Sequence, residues 1–207
     1  MDINMDINTK TKEVLILLTD NWADWYVGQV MAQIGFANDY VAKTISIDGK
    51  PKASIGGLKA EIDYSIENYQ SLDNLAMIVL IGGGSWRNNR YDEIAEFVRK
   101  ASSNNIPVAA ICGATVFLAK HGFLNNVKHT SNGLDFFKER LKDEEAYTGW
   151  EHFTFSQAIN DGGFITANET ATLEFAREIM LVLAEDDDGF IEFINAWYEK
   201  HKQGLAP

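Results

Sequence analysis

The stretch NIPVAAICGATVFLAKHG, residues 105–122, contains the chain's single cysteine and joins two different sequence patterns. IPVAAI (106–111) is a short apolar, β-branched run, and Pro107 near its beginning sits where a missing amide hydrogen is tolerated, so the run reads as a buried strand. GATVFLAKHG (113–122) reads as a helix that Gly122 stops. Cys112 therefore stands on a strand-to-helix turn. A nucleophile on such a turn is forced into an exposed, strained geometry that requires small residues two positions away on either side, and Ala110 and Ala114 supply them. The helix start adds a positive dipole end and free N–H groups, which favour a thiolate. A lone cysteine with no such context is more often an inert buried side chain. Here the surroundings favour a reactive one.

Working outward, the same alternation repeats. EVLILL (13–18) reads as a buried strand, NWADWYVGQVMAQIG (21–35) as a helix ending at Gly35, and YVAKTISID (40–48) as the next strand. ASIGGLKAEIDYSI (53–66) carries a Gly-Gly turn and reads as a small hairpin. LAMIVLIGGG (75–84) is a strand running into a glycine turn, followed by the helix YDEIAEFVRKASSNN (91–105), acidic at its start and basic at its end. VKHTS (127–131) and GFITAN (163–168) read as further strands, separated by a less regular stretch. TATLEFAREIMLVLAE (170–185) and GFIEFINAWYEKHK (189–202) are amphipathic helices, with a solvated EDDD linker between them. Apolar strands alternating with helices predict an α/β fold with a mostly parallel sheet covered on both faces. In such sheets ligands bind beyond the carboxyl ends of strands near a switch in strand order, here Asp20–Asp24, Gly82–Ser85 and Cys112.

With 207 residues the chain is long enough for one domain with a sizeable core. We read residues 13–207 as that domain. Residues 1–12, in which MDIN occurs twice, read as a disordered leader, or as a misassigned start with Met5 as the initiator. A net charge of −12 argues against nucleic acid or an anionic membrane as partner. One cysteine cannot close an internal disulfide, and no early apolar run can span a bilayer, so the expected compartment is the cytoplasm.

LIGGGSW (80–86) places glycines directly after a buried strand. The N–H groups of Gly83 and Gly84, with that of Gly113, are expected to form an oxyanion hole opposite the thiol. The spacing lacks the lysine of a phosphate-binding loop and the later glycine of a dinucleotide fingerprint, so nucleotide binding is disfavoured. Four scattered histidines and one cysteine show no metal-ligand spacing, and no cofactor or metal is expected. His121, near the end of the elbow helix, reads as structural and His201 as solvated. His152 in WEHFTF reads as lining the cleft, as do Tyr26 and Trp86, with Trp22 and Trp25 flanking it.

Together, LTDNWADWY, LIGGGSW, AAICGA, VKHTSNG and DGGFITANETATLEFA resemble the PfpI-type family of the class I glutamine amidotransferase-like superfamily. Its members are protease-like, chaperone-like, deglycase-like or amidotransferase-like. The resemblance, from about Val14 to Leu183, implies a flavodoxin-like three-layer sandwich with the cysteine on a nucleophile elbow, and a homodimer. Protease-like members follow the cysteine with histidine, where this chain has Gly113. Other members carry a histidine late in the strand after the elbow helix; on VKHTSN that position is Asn132, with His129 three residues earlier and on the opposite face of a strand. The family's glutamate after the first strand aligns with Tyr26 in WADWY, leaving Asp24 as the nearest carboxylate and the candidate acid.

Two functions follow. In one, Cys112 attacks a carbonyl carbon of a small amide, an α-oxoaldehyde or, last in rank, a peptide, and Asp24 or His129 manages the proton. In the other, the thiolate is oxidised without turnover and the protein responds to stress or redox state. Both require an accessible, ionised Cys112.

Overall fold

The computed structural model describes residues 11–87, 91–185 and 187–204. Residues 1–10 of the expected leader, and one residue of the acidic linker, lie outside the described residues. Among the described residues nine strands and six α-helices follow in chain order: β1 (Lys12–Leu17), α1 (Asp24–Ile34), β2 (Tyr40–Ser46), β3 (Lys52–Ala53), β4 (Lys59–Ala60), β5 (Tyr64–Ser65), β6 (Leu75–Leu80), α2 (Asp92–Ser103), β7 (Val108–Ile111), α3 (Gly113–Lys120), α4 (Leu134–Leu141), β8 (Ala158–Asp161), β9 (Phe164–Ala167), α5 (Thr172–Ala184) and α6 (Asp188–Gln203).

Seven strands form one sheet in the order β5-β2-β1-β6-β7-β9-β8. Every pairing is parallel except β8 with β9, which are antiparallel. The chain winds outward from β1 to β2, then returns to the other side of β1 as β6, so the switch in strand order lies between β1 and β6. Side chains alternate across the central strands because the strand period is two. Leu15, Leu17, Ile78, Leu80, Val108 and Ala110 face a layer formed by α2, α3 and α4. Val14, Ile16, Met77, Val79, Ala109 and Ile111 face α1, α5 and α6. The architecture is a flavodoxin-like three-layer α/β sandwich.

The sheet differs from the sequence reading in its last third. VKHTS is not a strand. It makes one isolated bridge, His129 to Phe153, with His129 N–H on the His152 carbonyl, and the amides on either side turn to side chains instead of extending a ladder: Lys128 N–H donates to Asp161 Oδ2 and Thr130 N–H to Thr166 Oγ1. The irregular stretch holds α4 and β8, neither of which was anticipated. β8 joins β9 through Gly162 and Gly163, both with positive φ (57° and 83°), the geometry of a two-residue hairpin turn. The expected hairpin at 53–66 is realised as the small β3–β4 pair, while β5 adds an edge to the main sheet.

At the switch point the backbone is packed to its limit. A Cβ on Gly82 would lie 2.7 Å from the Ile111 carbonyl oxygen, 2.8 Å from Cys112 Cβ and 2.9 Å from Tyr26 Cε2. Gly82→Ala must push apart the ends of β6 and β7. We expect a loss of about 1–3 kcal/mol in urea unfolding at unchanged slope; an unchanged midpoint would show that the close approach is not constraining.

Candidate active site

The elbow is held by a set of short hydrogen bonds. Cys112 has φ 58° and ψ −127°, a conformation a non-glycine residue keeps only when its surroundings enforce it. Its N–H donates to the Ala167 carbonyl at the end of β9 (3.0 Å). Its carbonyl accepts from Thr115 N–H (3.0 Å) and from Thr115 Oγ1 (2.6 Å). With that hydrogen spent, Thr115 Oγ1 must accept from Ser131 Oγ, 2.7 Å away. Thr115 and Ser131 are buried, so this chain of bonds fixes the segment carrying Asn132 relative to the thiol.

Asn132 Nδ2 lies 3.1 Å from Cys112 Sγ and 2.9 Å from Glu169 Oε2. Its two amide hydrogens serve these two acceptors, an orientation that matches a thiolate and a carboxylate. Oδ1 of Asn132 is buried with no partner among the described residues. Tyr26 lies beside the thiol, and its hydroxyl donates to the Glu169 carbonyl at 3.0 Å. Burial, and then the nearby charge of Cys112, raise the Tyr26 pKa well above its ordinary value, so Tyr26 stays protonated. Cys112 itself is half-buried. Against this group opens a cleft of about 470 Å³ whose walls include Asn132, Glu169, Thr130, Phe153 and the exposed Phe155.

Other expected site residues lie elsewhere. Asp24 is not the thiol's acid partner: its carboxylate accepts from Ser54 Oγ and from Gly56 N–H (3.0 Å), tying α1 to the β3–β4 hairpin. The Ser54 bond leads the causes that lower its pKa. His129 is fully buried and both ring nitrogens are used. Nδ1 is 2.8 Å from the Val127 carbonyl, which can only accept, so Nδ1 carries the proton and Nε2 accepts from Tyr147 Oη at 2.7 Å. The ring packs among Phe137, Tyr147 and Phe153 as a neutral core group.

Gly84 cannot serve the oxyanion hole, because its N–H donates to the Asn21 carbonyl at 3.0 Å. Gly83 turns its carbonyl oxygen toward Gly113. Gly113 opens α3, where a first-turn N–H has no intrahelical acceptor. Trp86 is core rather than cleft wall: it is 1% exposed, and its Nε1 donates to Ile81 O. Tyr26, also 1% exposed, supports the thiol from within the core instead of lining the cleft. His152 sits 3.8 Å from the Glu151 carboxylate, and its neighbour Phe153 forms the wall.

Glu169 was missed. It lies in the quoted ANET segment, two residues after β9 ends, which is where the strand-end rule for open sheets would have directed attention. Among the described residues no group of three His, Cys, Asp or Glu side chains is arranged to hold a metal ion, and no helix is long and apolar enough to cross a membrane.

A half-buried cysteine on a strained elbow, at the carboxyl edge of a flavodoxin-like sheet, defines a class of cysteine-centred α/β proteins. Within that class, the chain belongs to the DJ-1/PfpI family, which it matches over residues 12–181. It is 38% identical over 181 residues to the uncharacterized protease YdeA of Bacillus subtilis, covering 87% of this chain and 88% of that one. It is 30% identical over 201 residues to the uncharacterized protease YoaZ of the same organism, covering 93% and 92%. A solved thiJ/pfpI family protein from Bacillus anthracis superposes with a TM-score of 0.81 at 27% identity, covering 94% of this chain and 92% of that one. A DJ-1 superfamily protein from Agrobacterium tumefaciens gives a TM-score of 0.80 at 28% identity, covering 92% and 99%.

Burial holds His129 below its ordinary pKa of 6.5. The unfolded chain therefore binds a proton there more readily than the folded one, and stability falls as pH drops below about 6.5. Urea midpoints between about pH 7 and 5.5 should decline for the native chain and flatten in His129→Gln, which is less stable throughout but cannot titrate. Equal slopes for both proteins would remove His129 from the linkage.

Proposed function

We propose that the protein is a cysteine-dependent enzyme in which the Cys112 thiolate adds to the carbonyl carbon of a small substrate in the adjoining cleft. The observation that carries this reading is the Asn132 amide on Sγ at a strained elbow. An N–H donor and a helix start both stabilise negative charge on sulfur. In the addition step the S–C bond forms and the carbonyl π pair moves onto oxygen. That oxygen then takes a proton from water, and the Gly83 and Gly113 N–H groups are the remaining expected donors to hold it.

Asparagine cannot accept a proton as imidazole can. Addition of a ready thiolate to an aldehyde needs no base at the sulfur, whereas cleaving an amide also requires proton delivery to a departing nitrogen. Among the described residues no histidine is hydrogen-bonded to Cys112. Aldehydes therefore rank above amides, and peptides come last, although both Bacillus relatives carry protease in their names. The same donors support a second reading, a cytoplasmic thiol protein whose cysteine is oxidised by two equivalents of a peroxide, each giving one oxygen to sulfur and leaving as water or alcohol, with the sulfinate oxygens accepting from Asn132 and α3.

Asn132→Leu should slow iodoacetamide alkylation of Cys112 at pH 7 about ten-fold, the loss of one charge-assisted hydrogen bond. Cys112→Ser should abolish methylglyoxal consumption. Alkylation unchanged in the first variant would sink the role of Asn132, and turnover retained in the second would sink the nucleophile. Alkylation intact in the native chain with no turnover of aldehydes or amides favours the oxidation reading.

A further inference from the structure

We propose that the cleft beside Cys112 selects ligands by charge, with Glu169 as the selecting residue: it takes neutral or cationic carbonyl compounds and turns away those with a carboxylate, phosphate or sulfonate near the reacting carbon. The inference rests on Cys112 being the nucleophile and concerns what reaches it.

Among the described residues of the cleft wall Glu169 is the one ionisable side chain; the others are hydroxyls, amides, a glycine and two phenylalanines. Among the described residues of the wall there is no lysine, arginine or histidine to pair with an anion. The same Asn132 nitrogen bonds Sγ and Glu169 Oε2, which places the carboxylate within about 6 Å of the sulfur. Most of the neutral side-chain donors are also committed. Both Asn132 amide hydrogens go to Cys112 and Glu169. Thr130 Oγ1 donates to the Ser156 carbonyl and Ser156 Oγ to the Ala158 carbonyl. Asn168 Nδ2 donates to the Ser156 carbonyl and to Gln157 Oε1, while the single Thr170 Oγ1 hydrogen is shared between Asn168 Oδ1 and Gln157 Oε1. The wall thus offers an anion few hydrogens and sets a carboxylate against it, whereas an ammonium or amide N–H finds a free lone pair on Glu169. A full charge at that separation changes a local concentration by roughly ten-fold or more when the walls exclude part of the water.

The chain's single cysteine allows a direct test by mass. 2-Aminoethyl and 2-sulfonatoethyl methanethiosulfonate share one reacting group: the thiolate attacks the sulfenyl sulfur, a disulfide forms and methanesulfinate leaves. The ammonium reagent should label Cys112 at least ten-fold faster. Glu169→Gln keeps an oxygen for the Asn132 amide and should cut that ratio several-fold, whatever it does to either rate alone. Glu192→Gln, an exposed change on α6, controls for the net charge of −12 and should leave the ratio in place. Equal labelling by the two reagents, or a ratio unmoved by Glu169→Gln, overturns the charge selection while leaving the nucleophile standing. Failure of both reagents to label Cys112 overturns the nucleophile reading, and this inference with it.

Discussion

The rest of the site depends on holding one residue in a backbone conformation that side chains avoid. Cys112 at φ 58° would relax if it were not bonded on both sides. The end of β9 takes its N–H, and the first turn of α3 takes its carbonyl through Thr115. The first of these bonds comes from an element far away in sequence, so the turn is fully held only once the sheet has formed. The bonds also explain the small residues nearby. Ala110 and Ala114 are fully buried, and Gly82 has no room for a methyl group.

The same bonds aim Asn132. Thr115 links the elbow to Ser131, and the next residue places its amide between sulfur and carboxylate. An amide in that place can donate to two anions at once but cannot carry a proton between them. The arrangement gives the sulfur a hydrogen-bond donor rather than a base. Tyr26 fits this division, since it is buried, stays neutral and spends its hydrogen on the Glu169 carbonyl.

Strong periodic segments were legible without the structure. EVLILL, LAMIVL and the long helices carry their burial pattern in consecutive residues, and the observed elements match the expected ones to within a few positions. VKHTS was misread because its β-branched composition suits a strand, while its amides bond to Asp161 and Thr166 side chains that composition does not reveal. His129 invited a catalytic role by its residue type. Its actual partners, Val127 and Tyr147, make it part of an aromatic cluster. Asp24 was the nearest carboxylate in sequence, but the hairpin that claims it begins nearly thirty residues later.

The sequence by itself determined the alternating α/β order, the glycines and alanines that make a sharp turn possible, and the position of Cys112 on that turn, because each is written in neighbouring residues. Only the tertiary structure decided which groups meet the sulfur. Asn132 reaches it from beyond the elbow and Glu169 reaches Asn132 in turn, and contacts between residues 20 and 37 positions apart follow from strand order rather than spacing.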